Sequence, residues 1–218
     1  KGLKKIVNLA IANDWMHKNP FAGIRFQEKE VIREVLTKEE IERMMCKEFA
    51  LPRLEYVRDV FIFCVFTGMA YVDVNNLRQE HIVRDNNDDL WIRKARQKTN
   101  NMCNIPLLKI PQLLMEKYKN HPLCTKTGAL LPVPSNQKMN SYLKEIADFC
   151  GIQKNLTTHT ARHTFATVVA LANGVSMENI AKMLGHSDIR MTQRYAKVMD
   201  SSIMRDMENV DKLFKSSE

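Results

Sequence analysis

The chain has 218 residues, 44% of them hydrophobic, enough to bury the core of one full domain with part of another. Lys and Arg number 33 against 25 Asp and Glu, and the resulting charge of +8 favours a polyanionic partner, nucleic acid or an anionic membrane surface. No apolar run is long enough to span a bilayer, no secretory signal opens the chain, and the cysteines (46, 64, 103, 124 and 150) form no CxxC pair, so neither a zinc ribbon nor a disulfide framework is suggested and reduced thiols in a cytoplasm fit best.

Leu3, Ile6, Val7, Ala10 and Ile11 recur at helical spacing, and Asn19-Pro20 is expected to end that helix. One amphipathic helix cannot bury itself, so the sequence is expected to be a piece of a longer protein. Residues 1–22 read as the remnant of a preceding domain, 23–35 as a charged linker and 36–218 as the main domain. Thr37 and Glu40 form a capping-box pattern that opens a helix through Met44 and Met45. Arg53 to Phe66 predicts an amphipathic helix stopped near Gly68, and Tyr71 to Leu77 a short one. Ile82-Val83, Leu90-Trp91-Ile92 and Met102 to Leu107, separated by turn residues, predict three short antiparallel strands. Helices follow at Pro111–Tyr118, Ser135–Cys150 and His159–Ala172. Ser176 caps a further helix ending at Gly185, Ser187 caps the segment carrying Tyr195, and Ser201–Phe214 is the last helix. The expected fold is mostly α with a small three-stranded antiparallel β-sheet, an α+β class.

His159, Arg162 and His163 stand three and four residues apart, so they share one helix face. A metal site on the two histidines is one reading, but Arg162 would repel a cation and no acidic third ligand is near. An anion site is the better reading, since guanidinium and imidazole both donate to phosphate oxygens. An ordinary polar helix start is the third. Leu184-Gly185-His186 puts a histidine at a glycine-stopped helix end, and Tyr195 follows nine residues later. A lone tyrosine is usually a packing residue.

Taken in order, His-x-x-Arg, Leu-Gly-His and Tyr195 resemble the signature of the tyrosine recombinase, or phage integrase, family. The resemblance is most specific from Thr157 to Lys197 and runs from about Val35 to the C-terminus. Thr67-Gly68-Met69 with Asp73 and Leu77 resembles the family's first catalytic segment, Arg96-Gln97-Lys98-Thr99 its sheet lysine, and Trp15 to Phe21 the end of its core-binding domain. The chain departs at Ala70, where the family carries arginine; in this it is similar to integrases of bacterial conjugative transposons and other mobile elements.

The resemblance implies the tyrosine recombinase catalytic-domain architecture and a DNA-cleaving, DNA-rejoining enzyme with Tyr195 as nucleophile. Arg162 and His186 would stabilise the phosphorane-like charge, Lys98 would protonate the leaving oxygen, and His159 would take the tyrosine proton or hold a phosphate oxygen. Asp73 and His163 would support them, and Arg93 and Lys94 would touch the DNA backbone. Some cation must replace the missing arginine. Arg96 is expected to do so, because strand alternation would bring it to the face of Lys98; Arg78 and Arg93 are its rivals. No cofactor and no metal are implied. The implied partners are double-stranded DNA, other copies in a homotetramer that exchanges the C-terminal helix, and an accessory DNA-bending protein, in a bacterial cytoplasm at the nucleoid. Alternatives are a catalytically impaired DNA-binding homologue, a type IB topoisomerase-like enzyme, and a metal-dependent hydrolase built on His159 and His163.

Overall fold

A computed structural model describes residues 2–24 and 34–196; the linker residues 25–33, Lys197 and the expected helix Ser201–Phe214 lie outside the described residues. The chain divides into two units, Lys1–Ile32 and Arg33–Glu218. The first holds α1 (Gly2–Ala12), which ends before the proline expected to stop it. Asp14 adopts a left-handed φ of 55°, and two bonds close the end: Asp14 N–H to Ile11 O at 3.1 Å and Trp15 N–H to Ala10 O at 2.9 Å. This is a Schellman stop made with aspartate, one of the few non-glycine residues that tolerates that conformation.

The second unit begins with α2 (Lys38–Cys46) and α3 (Pro52–Thr67). The Thr37 box forms as expected: Thr37 Oγ1 accepts from Glu40 N–H, and Glu40 accepts from Thr37 N–H at 2.8 Å. The expectation of an amphipathic α3 is wrong. Leu54, Val57, Val60, Phe61, Ile62, Phe63, Cys64 and Val65 are all buried, so the helix is covered on every side. It packs against α2, α5 (Lys109–Tyr118), α7 (Asn136–Phe149) and α8 (Thr158–Thr164). Its charged residues are neutralised internally. Asp59 receives Arg58 Nε, Lys117 Nζ and the Tyr118 hydroxyl, while Arg58 Nη1 donates to the carbonyls of Met44, Met45 and Lys47 at the end of α2.

After α4 (Tyr71–Asn75), strands β1 (Ile82–Arg84), β2 (Leu90–Ala95) and β3 (Met102–Pro106) form one antiparallel sheet in that order. Ile82, Ile92 and Ile105 lie opposite one another, and Ile92 and Ile105 are fully buried. Strand β2 stops at Ala95. Residues 96–101 form a closed turn in which Arg96 N–H donates to Asn101 O, Asn100 N–H donates to Arg96 O, and Asn100 has φ 56°. The expected continuation of alternation to Lys98 therefore does not occur.

Helix α6 (Pro122–Thr127) had no apolar periodicity to announce it; Pro122 starts it and His121 Nδ1 accepts from Leu123 N–H. Helix α8 passes into a wide π-type segment, Phe165–Ala170, then a tight turn before Gly174. Helices α9 (Met177–Leu184) and α10 (Arg190–Ala196) complete the described unit. Asp188, and not Ser187, satisfies the start of α10, its Oδ1 accepting from Arg190 N–H at 2.8 Å. A second small core joins Phe165, Ala166, Ala170, Ile180, Leu184 and Tyr195.

Candidate active site

Two glycines set the geometry. Gly68 ends α3 at φ 67°, and a Cβ there would collide with Phe165 and Leu184. Gly185 ends α9 at φ 60°, and a Cβ would lie 2.6 Å from Arg96 Cδ and 2.7 Å from Cys103 Sγ. Both positions thus need glycine for conformation and for space. The close approach lets α8 present Arg162, only 5% exposed, to two backbone carbonyls: Nη1 donates to Gly68 O at 2.7 Å and Nη2 to Leu184 O at 2.6 Å.

The same Nη2 lies 3.2 Å from His186 Nε2, and His186 Nδ1 lies 2.9 Å from the hydroxyl of Thr192 on α10. Burial, then the charges of Arg162 and Arg96, push the His186 pKa down to about 4, so the ring is neutral near pH 7. Burial and Arg96 also lower the pKa of Arg162. Arg96 leaves the sheet at the turn and enters the site, its Nε 3.7 Å from Asp73 Oδ2. That buried Nε makes no hydrogen bond among the described residues. Asp73 Oδ1 accepts from Gln97 N–H at 2.9 Å, which ties the turn to α4. Cys103, whose thiol pKa is raised by burial, closes the floor with Met69, Lys94 and Ile105 around a cavity of about 10 Å³, water-sized at most.

Tyr195 is 8% exposed. Its ring stacks on His186 (centroids 6.2 Å apart, planes at 13°) and meets His163 edge-on at 5.1 Å; His163 in turn meets His159 at 5.4 Å. The structure therefore gathers Tyr195, His163, His159, His186, Arg162, Arg96 and Asp73. Lys98 is exposed in the turn outside this group. Arg93 and Lys94 separate by strand alternation: Arg93 is exposed, while Lys94 turns inward, 3.2 Å from His81 Nε2, which removes it from the backbone-contacting face expected for it. Arg78 is engaged elsewhere, Nη1 donating to the carbonyls of Asn75 and Leu77. Ala70 caps α4 with no side-chain bond. Among the described residues no three His, Cys, Asp or Glu converge as metal ligands, and no helix is long and apolar enough to cross a membrane.

Thr192 was missed by sequence reasoning. It stands three residues before Tyr195, so helical spacing alone could have put it on the face of the tyrosine.

The tyrosine recombinase XerD of Staphylococcus saprophyticus is 40% identical over 95 residues, 44% of this chain and 31% of that protein. The match thus spans about a third of the length of such curated relatives. A lambda integrase dimer bound to a COC′ core site superposes with a TM-score of 0.67 at 19% identity, covering 88% of this chain and 69% of that one. The Tn1549 transposon integrase in complex with a circular intermediate DNA gives 0.65 at 18% identity, covering 93% and 74%. At these identities the two structures share the fold: a mostly helical catalytic domain with a three-stranded sheet. The profile of the phage integrase family matches residues 34–202, well over half of the chain, and the chain belongs to that family.

Proposed function

We propose that the chain is the catalytic part of a site-specific recombinase or integrase that cuts and rejoins double-stranded DNA through a 3′-phosphotyrosine at Tyr195. One observation carries the reading. Tyr195 stacks on a histidine bonded to Arg162, in a buried site where Arg162 and Arg96 face the single carboxylate of Asp73. A buried surplus of positive charge with an unused donor is suited to a phosphodiester.

The chemistry follows from these groups. Tyr195 Oη forms a bond to phosphorus as the bond to the 5′ oxygen breaks, so bond energy is conserved and reversal rejoins the strand without ATP. Arg162 and Arg96 stabilise charge growing on the non-bridging oxygens, and His186 assists them. Arg96 takes the place of the arginine absent at Ala70. Lys98, on its exposed turn, protonates the leaving oxygen. His159 receives the tyrosine proton or holds a phosphate oxygen, with His163 between it and Tyr195. Asp73 orients Arg96, and Arg93 contacts the DNA backbone. DNA-bound relatives such as the lambda integrase dimer support the choice of DNA. On DNA the parent protein acts as a homotetramer exchanging residues 201–214, with an accessory bending protein, at a bacterial nucleoid in the cytoplasm.

Ala70 favours a second reading, a DNA-binding homologue that does not cleave. Trapping on a nicked duplex separates the two. The wild type forms a covalent adduct unaffected by chelator, and Tyr195→Phe forms none while binding DNA with unchanged affinity. Binding without an adduct in the wild type supports the second reading. An adduct with Tyr195→Phe rejects the nucleophile.

A further inference from the structure

The contacts of His186 fix its proton. Arg162 is an obligate donor, so the His186 Nε2 that lies 3.2 Å from Arg162 Nη2 must present a lone pair. A neutral imidazole has one N–H, which is then on Nδ1, and the atom 2.9 Å away is Thr192 Oγ1. Thr192 is 1% exposed, so no water competes for that proton. The cationic groups around the ring are Arg162 from α8 and Arg96 from the turn after β2, and Tyr195 covers it from α10.

We propose that Thr192 is a positioning residue: its hydroxyl accepts the Nδ1 proton of His186, aims Nε2 at the Arg162 guanidinium, and ties that orientation to the docking of the helix that carries Tyr195. Thr192 and Tyr195 lie one turn apart on α10, so the nucleophile and the anchor of the histidine move as one body. When a phosphate draws Arg162 towards itself, Nε2 is the nitrogen left facing the anion. The anion raises the proton affinity of Nε2, which takes a proton from solvent, and the imidazolium then donates to a non-bridging oxygen while Thr192 goes on accepting from Nδ1. A third group that holds an imidazole in one tautomer is a recurring way of making it act from one nitrogen only. This deepens the recombinase reading and rests on it for the catalytic consequence. The tautomer itself does not depend on it.

The test has two arms. In the first, nitrogen-15 NMR of the histidine-labelled chain without DNA, at pH 7, reads the tautomer. The wild type and Thr192→Ser show a protonated Nδ1 and a bare Nε2 at His186. Thr192→Val, which keeps the shape and loses the hydroxyl, shows the proton shifted towards Nε2. In the second arm, cleavage of a nicked duplex at saturating protein slows about ten- to a hundredfold in Thr192→Val, the range for losing a group that orients a functional ligand, and recovers in Thr192→Ser. A packing role would give the reverse order, since Val fills the site and Ser leaves a hole. A wild-type ring protonated on Nε2, or a Thr192→Val protein as fast as wild type, overturns the proposal. If Thr192→Val does not fold, the wild-type spectrum decides. If the wild-type tautomer is as stated but no adduct forms, the recombinase reading fails and the anchoring of His186 stands.

Discussion

Two arginines, Arg58 buried and Arg96 partly buried, each beside a buried aspartate, behave differently in this protein. Arg58 and Asp59 are closed: the arginine donates to three carbonyls, and the aspartate receives a guanidinium, an ammonium and a hydroxyl. With Lys117 and Glu55, two cations meet two anions. Arg96 and Asp73 are open. Their closest approach is 3.7 Å, Arg96 Nε has no hydrogen bond among the described residues, and Arg162 adds a second cation without a second anion. Burial, and after it these two cations, keep the neighbouring His186 uncharged. A closed cluster holds α3, α2 and α5 together. An open one leaves a donor and positive charge uncompensated, and that contrast is why the proposed phosphate site is placed there.

The largest effect should come from breaking the closed cluster. Asp59→Ala leaves Arg58 buried without its counter-ion and should cost about 3–5 kcal/mol in denaturant unfolding. The cleavage rate of the folded fraction should be unchanged; a loss of rate without a loss of stability would erase the contrast. A smaller effect belongs to His186. Its folded pKa of about 4 lies below the ordinary 6.5, so between those values the unfolded chain binds a proton that the folded chain does not. Stability therefore falls as pH drops from 6.5 towards 4. Discounted for the solvent reaching a half-buried ring, the loss is about 1–2 kcal/mol. His186→Gln should flatten that part of the stability profile, and an unaltered slope would contradict the lowered pKa of the ring. The smallest effect concerns the outer face of the sheet. Arg93→Ala should lower the salt dependence of DNA binding by about one counter-ion and leave saturated cleavage intact. A slowed saturated rate would place Arg93 in the site.

The parts of the fold that were legible in the sequence are those fixed by neighbours in the chain. The Thr37–Glu40 box and the stops at Gly68, Gly174 and Gly185 are local events, and each is where its residues place it. The stop at Asp14 was not legible, because an aspartate enters the left-handed region without advertising it. Nor was the burial of α3, which depends on four other helices closing around its polar face. Within the site, the order His159, Arg162, His186, Tyr195 was readable. The convergence of Arg96 was expected for the wrong reason: β2 ends at Ala95, and it is the tether from Asp73 to Gln97 N–H that holds the turn beside Arg162. Lys94 shows the opposite failure. Its charge suggested the surface, but alternation places it with Ile92 on the inner face.

The central claim is that the open cluster receives the phosphate and that Arg96 supplies the cation Ala70 lacks. The most direct test is the single-turnover cleavage rate of Arg96→Ala on a nicked duplex at saturating protein. The account predicts a fall of about a hundredfold or more, the size expected for loss of one transition-state donor, with DNA affinity nearly unchanged. Weakened binding with the saturated rate intact would contradict it, and would make Arg96 a backbone contact outside the chemistry.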